Sequence, residues 1–191
     1  WLQGDGSQIK NSEFLPGADN FWVEADARLE GNRIYFPYPS RIRASATVEM
    51  VANVIQGNLV TSDSATLVME KNVFEFDEYN TLALGSYAPA VVSNNRFEYC
   101  PPRAALQVNG AGAVTIRDNV FRCSTSSRYS ALAIKVAADS PGIIKNNVFE
   151  GPNRFGFTDD AAGLQAVKPP RLSCPSHITA EGPVAVRVNG G

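Results

Sequence analysis

The sequence predicts an all-β protein: a right-handed, single-stranded parallel β-helix of about seven rungs, with an internal asparagine ladder and an irregular C-terminal cap. The first observation behind this prediction is a motif of an apolar residue, two spacers, Asn, one spacer and a second apolar residue. Its six copies occupy residues 29–34, 50–55, 69–74, 92–97, 116–121 and 144–149. A degenerate seventh copy, 9–14, has Ser12 in place of Asn.

The spacing of the copies is the second observation. Successive Asn or Ser positions, from Ser12 onward, are separated by 20, 21, 19, 23, 24 and 28 residues, which is the length of one solenoid turn. The third observation is that short runs of alternating apolar residues lie between the copies, bounded by Gly, Asn, Pro or Ser, with no stretch of helical period. Such runs are typical of β-strands, and parallel strands ~4.8 Å apart can coil into a β-helix.

The recurring Asn is expected at a sharp corner, because asparagine tolerates the left-handed conformation and its amide can bond to the Asn of the next coil. The predicted ladder comprises Asn53, Asn72, Asn95, Asn119 and Asn147. The apolar residues on either side of each corner, such as Ile116 and Phe121, should point inward. Three alternating runs between the motif copies each contain a pair of inward residues: Leu82 and Leu84, Leu106 and Val108, and Leu132 and Ile134. These pairs are expected to stack on one another in successive coils.

Composition limits the function classes. A chain of 191 residues with a formal charge of −2 has no basic surface for nucleic acid, and it has no apolar run approaching the ~20 residues of a membrane helix. The sequence opens at Trp1 without a Met or a leader, so that a removed signal peptide and a fragment both remain open.

Cys100 and Cys123 lie near equivalent points of adjacent rungs, where either a disulfide or two buried thiols would fit.

Two regions are predicted along the chain. Residues 1–150 carry the regular rungs, whereas 151–191 lose the motif and are rich in Pro, Gly and polar residues. An open β-helix end exposes unpaired strand edges and a cross-section of the core, so it needs a cap. We therefore predict that 151–191 form an irregular C-terminal cap or a last rung.

The candidate site is a lane of small outward residues on three later rungs. The predicted outward positions are Ala83 on the first of these rungs, Ala105 and Gln107 on the second, and Ala133 and Lys135 on the third. Loops on a solenoid usually form its binding surface. Carboxylates, amides, guanidinium groups and aromatic rings bind sugars, because rings cover apolar sugar faces and forked donors hold hydroxyl or carboxylate groups. The predicted partner is thus an oligo- or polysaccharide, and the predicted substrate-binding residues are Arg103, Gln107, Asn109, Arg128, Tyr129 and Lys135.

Glycoside hydrolysis requires two carboxylates, ~5–5.5 Å apart for retention or ~6.5–9.5 Å apart for inversion. The candidates near the lane are Asp77, Glu78 and Asp139. No metal site with a recognisable ligand spacing occurs in the sequence, and no cofactor is predicted.

One stretch resembles a known family. Residues 95–106, with Cys100-Pro101-Pro102-Arg103 as the most specific step, followed by 114–121 and 130–134, resemble the β-helix of glycoside hydrolase family 110. The resemblance covers 94–149. It implies an inverting, exo-acting α-galactosidase that is secreted or periplasmic, with Asp139 as an acidic groove residue and Arg103 as a sugar-positioning residue.

The same rungs are similar to the wider pectate-lyase-like superfamily, which leaves other functions open. The main hypothesis is a glycosidase-like module acting on galactoside-containing glycans. The alternatives are a polysaccharide lyase or epimerase relative, and a non-catalytic rod such as an adhesin, a tailspike-like segment or a glycan-binding module. A homo-oligomer is compatible with all of them, because β-helices with open ends can pack against one another.

Overall fold

Three parallel faces surround one apolar interior. The computed structural model describes residues 4, 6–14, 22–23, 25–43, 47–63, 65–76, 81–86, 89–99, 105–108, 113–123, 134–136, 142–151, 158–159, 164–166 and 186–188. Every strand pair among these residues is parallel, and none of these residues is helical. The predicted all-β parallel β-helix is therefore confirmed. A crossover between parallel strands has a right hand in nearly all proteins, as predicted for this coil.

Face 1 is an eight-stranded sheet whose strands follow one another in chain order. Its strands are β1 (Ser7–Lys10), β4 (Ala27–Glu30), β6 (Thr47–Val51), β8 (Thr66–Glu70), β11 (Ala90–Ser93), β14 (Val114–Arg117), β17 (Gly142–Lys145) and β20 (Leu164–Ala166). The count is one higher than the seven rungs expected from the motif, because β20 lies in a stretch that has no copy of it.

Faces 2 and 3 are joined into one sheet of 13 strands, because two long strands, β5 (Arg33–Arg43) and β7 (Val54–Asp63), run through both faces. Face 2 also contains β2 (Glu13–Phe14), β9 (Val73–Glu75), β12 (Arg96–Tyr99), β15 (Val120–Cys123), β18 (Val148–Gly151) and β21 (Val186–Val188). Face 3 also contains β3 (Trp22–Val23), β10 (Leu82–Ser86), β13 (Leu106–Val108), β16 (Ile134–Val136) and β19 (Thr158–Asp159).

Beyond residue 151, one short strand continues each face: β19 pairs with β16, β20 with β17, and β21 with β18. The division of the chain at residue 150 and the irregular cap stay predictions. The proposed pairing of Cys100 with Cys123 also stays a prediction, because Cys100 lies outside the described residues.

The asparagine ladder lies where face 1 turns into face 2. In each step, the Asn side-chain nitrogen donates to the Oδ1 atom of the Asn one coil further on, at 2.9–3.0 Å, and the same Oδ1 accepts the backbone N–H of the first Asn. The second side-chain hydrogen goes to a backbone carbonyl of the preceding coil, at 2.7–3.0 Å. The predicted ladder is confirmed, and Asn32 extends it at the N-terminal end.

Ser12 begins the ladder without an amide. Its backbone N–H donates to Oδ1 of Asn32 at 2.9 Å, whereas its hydroxyl donates to the carbonyl of Lys10 at 3.0 Å. The degenerate copy of the motif therefore still fixes the corner, because only the backbone donor is needed at this end.

The recurring Asn was expected to adopt the left-handed conformation at each corner, and this is wrong. The left-handed residue is the one directly before the ladder Asn. The residues with positive φ, between 49° and 67°, are Asn11, Gly31, Ala52, Lys71, Asn94, Asp118 and Asn146. The physical reason is that the ladder amide must point inward to reach its neighbours, so the preceding residue makes the tight turn. Glycine and asparagine suit this position, and Ala52 and Lys71 adopt it at a cost of roughly 1–2 kcal/mol each.

Inward side chains of successive coils stack directly over one another. On face 2, Phe74, Phe97 and Phe121 are fully buried, with ring centroids 4.5 and 4.6 Å apart and ring planes within 7° of parallel. Ile116 is likewise fully buried on face 1. The motif residues that were expected to point inward therefore do so.

On face 3, the predicted stacking is confirmed for two pairs and wrong for the third. Leu82 aligns with Leu106 and Leu84 with Val108, and all four are buried. However, Leu106 aligns with Ile134 rather than with Leu132. The longer connection before β16 shifts the register by two residues, which alternation alone does not reveal because a shift of two keeps the same side of the strand inward.

The ladder generates a prediction about stability. Replacing Asn95 with alanine removes four side-chain hydrogen bonds, to Asn72, Asn119 and the carbonyl of Met69, inside the protein. Because each unsatisfied buried polar group costs about 1–3 kcal/mol, Asn95→Ala should lower the unfolding free energy by about 3 kcal/mol or more, as measured by urea denaturation. The control is Asn94→Ala, an exposed corner residue, which should cost only about 1 kcal/mol. Equal losses for the two variants would contradict this role of the ladder.

A second prediction concerns Gly57, which has φ of 93° and lies opposite Phe36 where β5 and β7 bend from face 2 to face 3. A Cβ atom there would lie 1.9 Å from the carbonyl oxygen of Phe36. Gly57→Ala should therefore cost about 3 kcal/mol, combining left-handed strain with overpacking against backbone.

The matched control for Gly57 is Gly31→Ala. Gly31 also has positive φ, but an added Cβ would contact only the side-chain oxygen of Asn11, which can move. Its expected cost is about 1 kcal/mol. Thermal or urea unfolding of both variants checks the order, and a Gly57→Ala protein as stable as Gly31→Ala would show that the backbone contact relaxes freely.

Candidate functional site

The predicted site residues fall mostly outside the part of the chain that the structure describes. This holds for Asp77, Glu78, Arg103, Asn109, Arg128, Tyr129 and Asp139. Lys135 is described only as a position in β16, and Gln107 is the one predicted site residue with a described side chain. The grouping of these residues into one site therefore stays a prediction.

The lane of small residues on face 3 is only partly as expected. Gln107 aligns with Ala83 on one side and with Lys135 on the other, so these three positions are in register on successive coils. Ala105 was predicted to be outward, and this is wrong: it is fully buried in the core, and its carbonyl accepts the N–H of Leu82 at 3.0 Å. Ala105 precedes β13 and so does not follow the alternation of that strand. Ala83 is also covered, with 7% of its surface exposed.

Face 2 carries a more continuous polar feature, which we call the face 2 polar row. It consists of residues that are aligned in register on five successive coils: Tyr35, Gln56, Glu75, Glu98 and Arg122. Neighbouring strands place these residues ~4.8 Å apart. All five side chains are at least partly exposed, so that the row is a line of accessible polar and aromatic groups along the coil axis.

The two carboxylates at the centre of the row are each held from one side. Oε2 of Glu75 accepts from the amide of Gln56 at 2.5 Å and lies 3.7 Å from the Arg33 guanidinium. Oε1 of Glu98 accepts from Nε of Arg96 at 2.6 Å. The same oxygen lies 3.7 Å from Arg122. These contacts fix the carboxylate orientations without burying them.

The second oxygen of each carboxylate is available. Among the residues that the structure describes, nothing bonds to Oε1 of Glu75 or to Oε2 of Glu98. Tyr35, at the N-terminal end of the row, is 37% exposed and presents an aromatic ring to solvent. The row thus combines free hydrogen-bond acceptors with a ring surface.

Sequence reasoning missed this row because it looked for the site on the lane of small residues and in the loops beside that lane. Glu75, Glu98 and Arg122 instead end or continue the strands β9, β12 and β15. The signal was present in the motif, since every member of the row is the third residue after a ladder Asn. That these residues are neighbours becomes apparent only when successive coils are aligned.

A second polar feature lies at the N-terminal end of face 1, where a pocket of about 230 Å³ is lined by Ser7, Asp26, Arg28, Thr47 and Glu49, among others. Its charged groups bond to one another: Arg28 donates to Glu30 at 3.1 Å and also to Glu49. The hydrogen bond from Arg28 lowers the pKa of Glu30, and the bond to Glu30 raises the pKa of Arg28. Because these groups already satisfy one another, the pocket presents few free partners to a ligand.

The donor chemistry for a metal ion is sparse. Among the described residues, no three side chains of His, Cys, Asp or Glu group together. Met50 and Met69 are neighbours on face 1, but both are fully buried in the apolar core. The described part of the chain also contains no helix that could span a membrane.

The fold and its outer row define a parallel β-helix with a polar, solvent-facing side. Residues 3–163 match a protein-family model described as "Periplasmic copper-binding protein (NosD)". Because the match covers most of the chain, this protein belongs to the NosD family. No curated protein and no solved structure matches the chain significantly.

The family assignment bears on two earlier predictions. The family is periplasmic, which agrees with the predicted secreted or periplasmic location. The matched family is not glycoside hydrolase family 110, so the resemblance over 94–149 is not confirmed, and glycoside hydrolase activity gains no support from the match.

Proposed function

We propose that this protein is a carbohydrate-active β-helix that binds an oligo- or polysaccharide along the face 2 polar row. The observation that carries the proposal is the register alignment of an exposed aromatic ring, an amide, two carboxylates and a guanidinium on successive coils. Aromatic rings cover apolar sugar faces, while carboxylates and amides bond to sugar hydroxyl groups. A row with both kinds of group suits a carbohydrate better than a purely apolar or purely ionic ligand.

The dimensions of the row favour a chain-like ligand. Five coils at ~4.8 Å per coil make a line of roughly 19 Å, which is longer than a single sugar ring. The strands hold the row rigidly, because the four positions after Tyr35 are paired in register with the coils on both sides. A rigid row reduces the conformational entropy that binding would otherwise cost.

Hydrolysis is the second part of the proposal. The notion of a glycosidase acting on galactoside-containing glycans rests on the resemblance over 94–149 and on the candidate acids Asp77, Glu78 and Asp139. A paired mechanism needs two carboxylates separated by about 5–9.5 Å. The competing proposals are a lyase or epimerase activity, and a non-catalytic glycan-binding or tailspike-like role in which the row only holds the ligand.

Copper, which the family description names, does not fit the described residues. Cu(I) selects thiolate and thioether ligands, and Cu(II) selects imidazole. The chain has one histidine, His177, which lies outside the described residues, as do Cys100 and Cys174, and the third cysteine, Cys123, is described only as a position in β15. The described thioethers, Met50 and Met69, are sealed in the core. We therefore derive no copper-dependent step for this chain.

Replacing Tyr35 tests glycan binding. Tyr35→Ala should weaken binding of a galactan about two- to tenfold, because loss of a ring contact costs roughly 0.5–1.5 kcal/mol. The matched variant Tyr35→Phe keeps the ring and should bind nearly as well as the native protein. Isothermal titration calorimetry measures both, and equal binding by all three proteins would remove Tyr35 from the site.

Replacing Asp139 tests hydrolysis separately. Asp139→Asn removes a candidate acid or base while keeping the side-chain volume, so release of reducing ends from the cognate glycan should be abolished. Circular dichroism and the unfolding midpoint serve as folding controls. Unchanged turnover would remove Asp139 from the mechanism. Glycan binding without any release by the native protein would favour the non-catalytic role.

A further inference from the structure

The positive charges around the face 2 polar row are already compensated. Arg33 lies 3.7 Å from Glu75, Arg96 bonds to Glu98, and Arg122 lies 3.7 Å from Glu98. Glu150 follows Arg122 in register on the next coil. Each of these three guanidinium groups is therefore paired with Glu75 or Glu98, the two carboxylates at the centre of the row.

The free groups at the centre of the row are acceptors. Oε1 of Glu75 and Oε2 of Glu98 have no partner among the described residues, and the two residues lie side by side on adjacent coils. An ionised carboxylate can only accept hydrogen bonds. A ligand group that lies over this centre must therefore supply donors, as the hydroxyl groups of a sugar do.

Both anionic and cationic sugars are disfavoured over this centre. A uronate or a sulfate over the centre would face two carboxylates whose guanidinium partners are already engaged, so repulsion would oppose its binding. An ammonium group would meet three guanidinium groups within ion-pair distance of those same carboxylates. Hydroxyl groups avoid both penalties and still form charge-assisted hydrogen bonds.

We infer that the segment of ligand over Glu75 and Glu98 is an uncharged glycan, whose hydroxyl groups donate to Oε1 of Glu75 and Oε2 of Glu98. This inference rests on the proposed function, since it names the class of sugar for the same row. It also disfavours a role in processing polyuronates, the substrates that a lyase or epimerase relative would require.

The test compares three soluble polysaccharides of similar length: galactan, polygalacturonate and chitosan, which are uncharged, anionic and cationic. The full chain should bind galactan at least tenfold more tightly than the other two in calorimetric titrations. Galactan affinity should also change less than twofold between about 0.01 M and 1 M salt, because screening acts on charges. Tighter binding of polygalacturonate or chitosan than of galactan would overturn the inference while leaving glycan binding intact. Absence of binding to all three would instead overturn the proposed function.

Variants of the two carboxylates test whether Glu75 and Glu98 cause the preference for an uncharged glycan. Glu75→Gln and Glu98→Gln keep the side-chain shape but replace a charged acceptor with a neutral one, and the double variant should lose about tenfold in galactan affinity while its relative affinity for polygalacturonate rises. The matched control is Glu70→Gln, a face 1 carboxylate paired with Lys71 at 3.2 Å, which should change neither affinity. Equal ratios of galactan to polygalacturonate affinity in the native protein and the double variant would show that these carboxylates do not select the ligand.

Discussion

The ladder of buried asparagines is the constraint on which the rest of this β-helix depends. Each of the four interior ladder side chains accepts two hydrogen bonds and donates two, and therefore none of their buried amide atoms is left to be satisfied by water; these residues are Asn53, Asn72, Asn95 and Asn119. Because the amide of one coil bonds to the amide of the next, the ladder fixes both the position of the corner and the vertical alignment of the coils. A shift of one residue would break the ladder and would also turn the apolar side chains of that strand outward.

The alignment imposed at the corner extends to both sides of the strands. Two residues after each ladder Asn, the inward column contains Ile34, Ile55 and the stacked Phe74, Phe97 and Phe121. One residue later, the outward column is the face 2 polar row. The same hydrogen bonds that bury the aromatic stack thus hold the row in line, so that core packing and surface chemistry share one cause. A rigid row of this kind needs no loop to organise it.

The residues that were predicted well are those whose surroundings repeat. The ladder asparagines and Phe97 occupy recurring places of the motif, and Leu106 lies in one of the alternating runs between motif copies, so their burial followed from the sequence pattern. The exceptions lie where the repeat is interrupted. Ala105 lies before its strand, so counting the alternation along the chain wrongly placed it outward. Ile134 follows a longer connection, so its alignment with the preceding coil was wrong by two residues. The left-handed corner residues were misassigned by one position, since the motif marks the Asn that is buried and not the residue that turns.

The sequence by itself determined the architecture: a coil of about 20 residues per turn, an asparagine at a recurring corner and apolar residues on its inner side. These features are local, since each motif copy specifies its own corner and its own inward residues. Only the tertiary structure decided which polar residues become neighbours, because Tyr35 and Arg122 are separated by 87 positions in the chain and meet in one row through the register of five coils. That register depends on hydrogen bonds between strands and on the lengths of the connections between them, neither of which is encoded within a single motif.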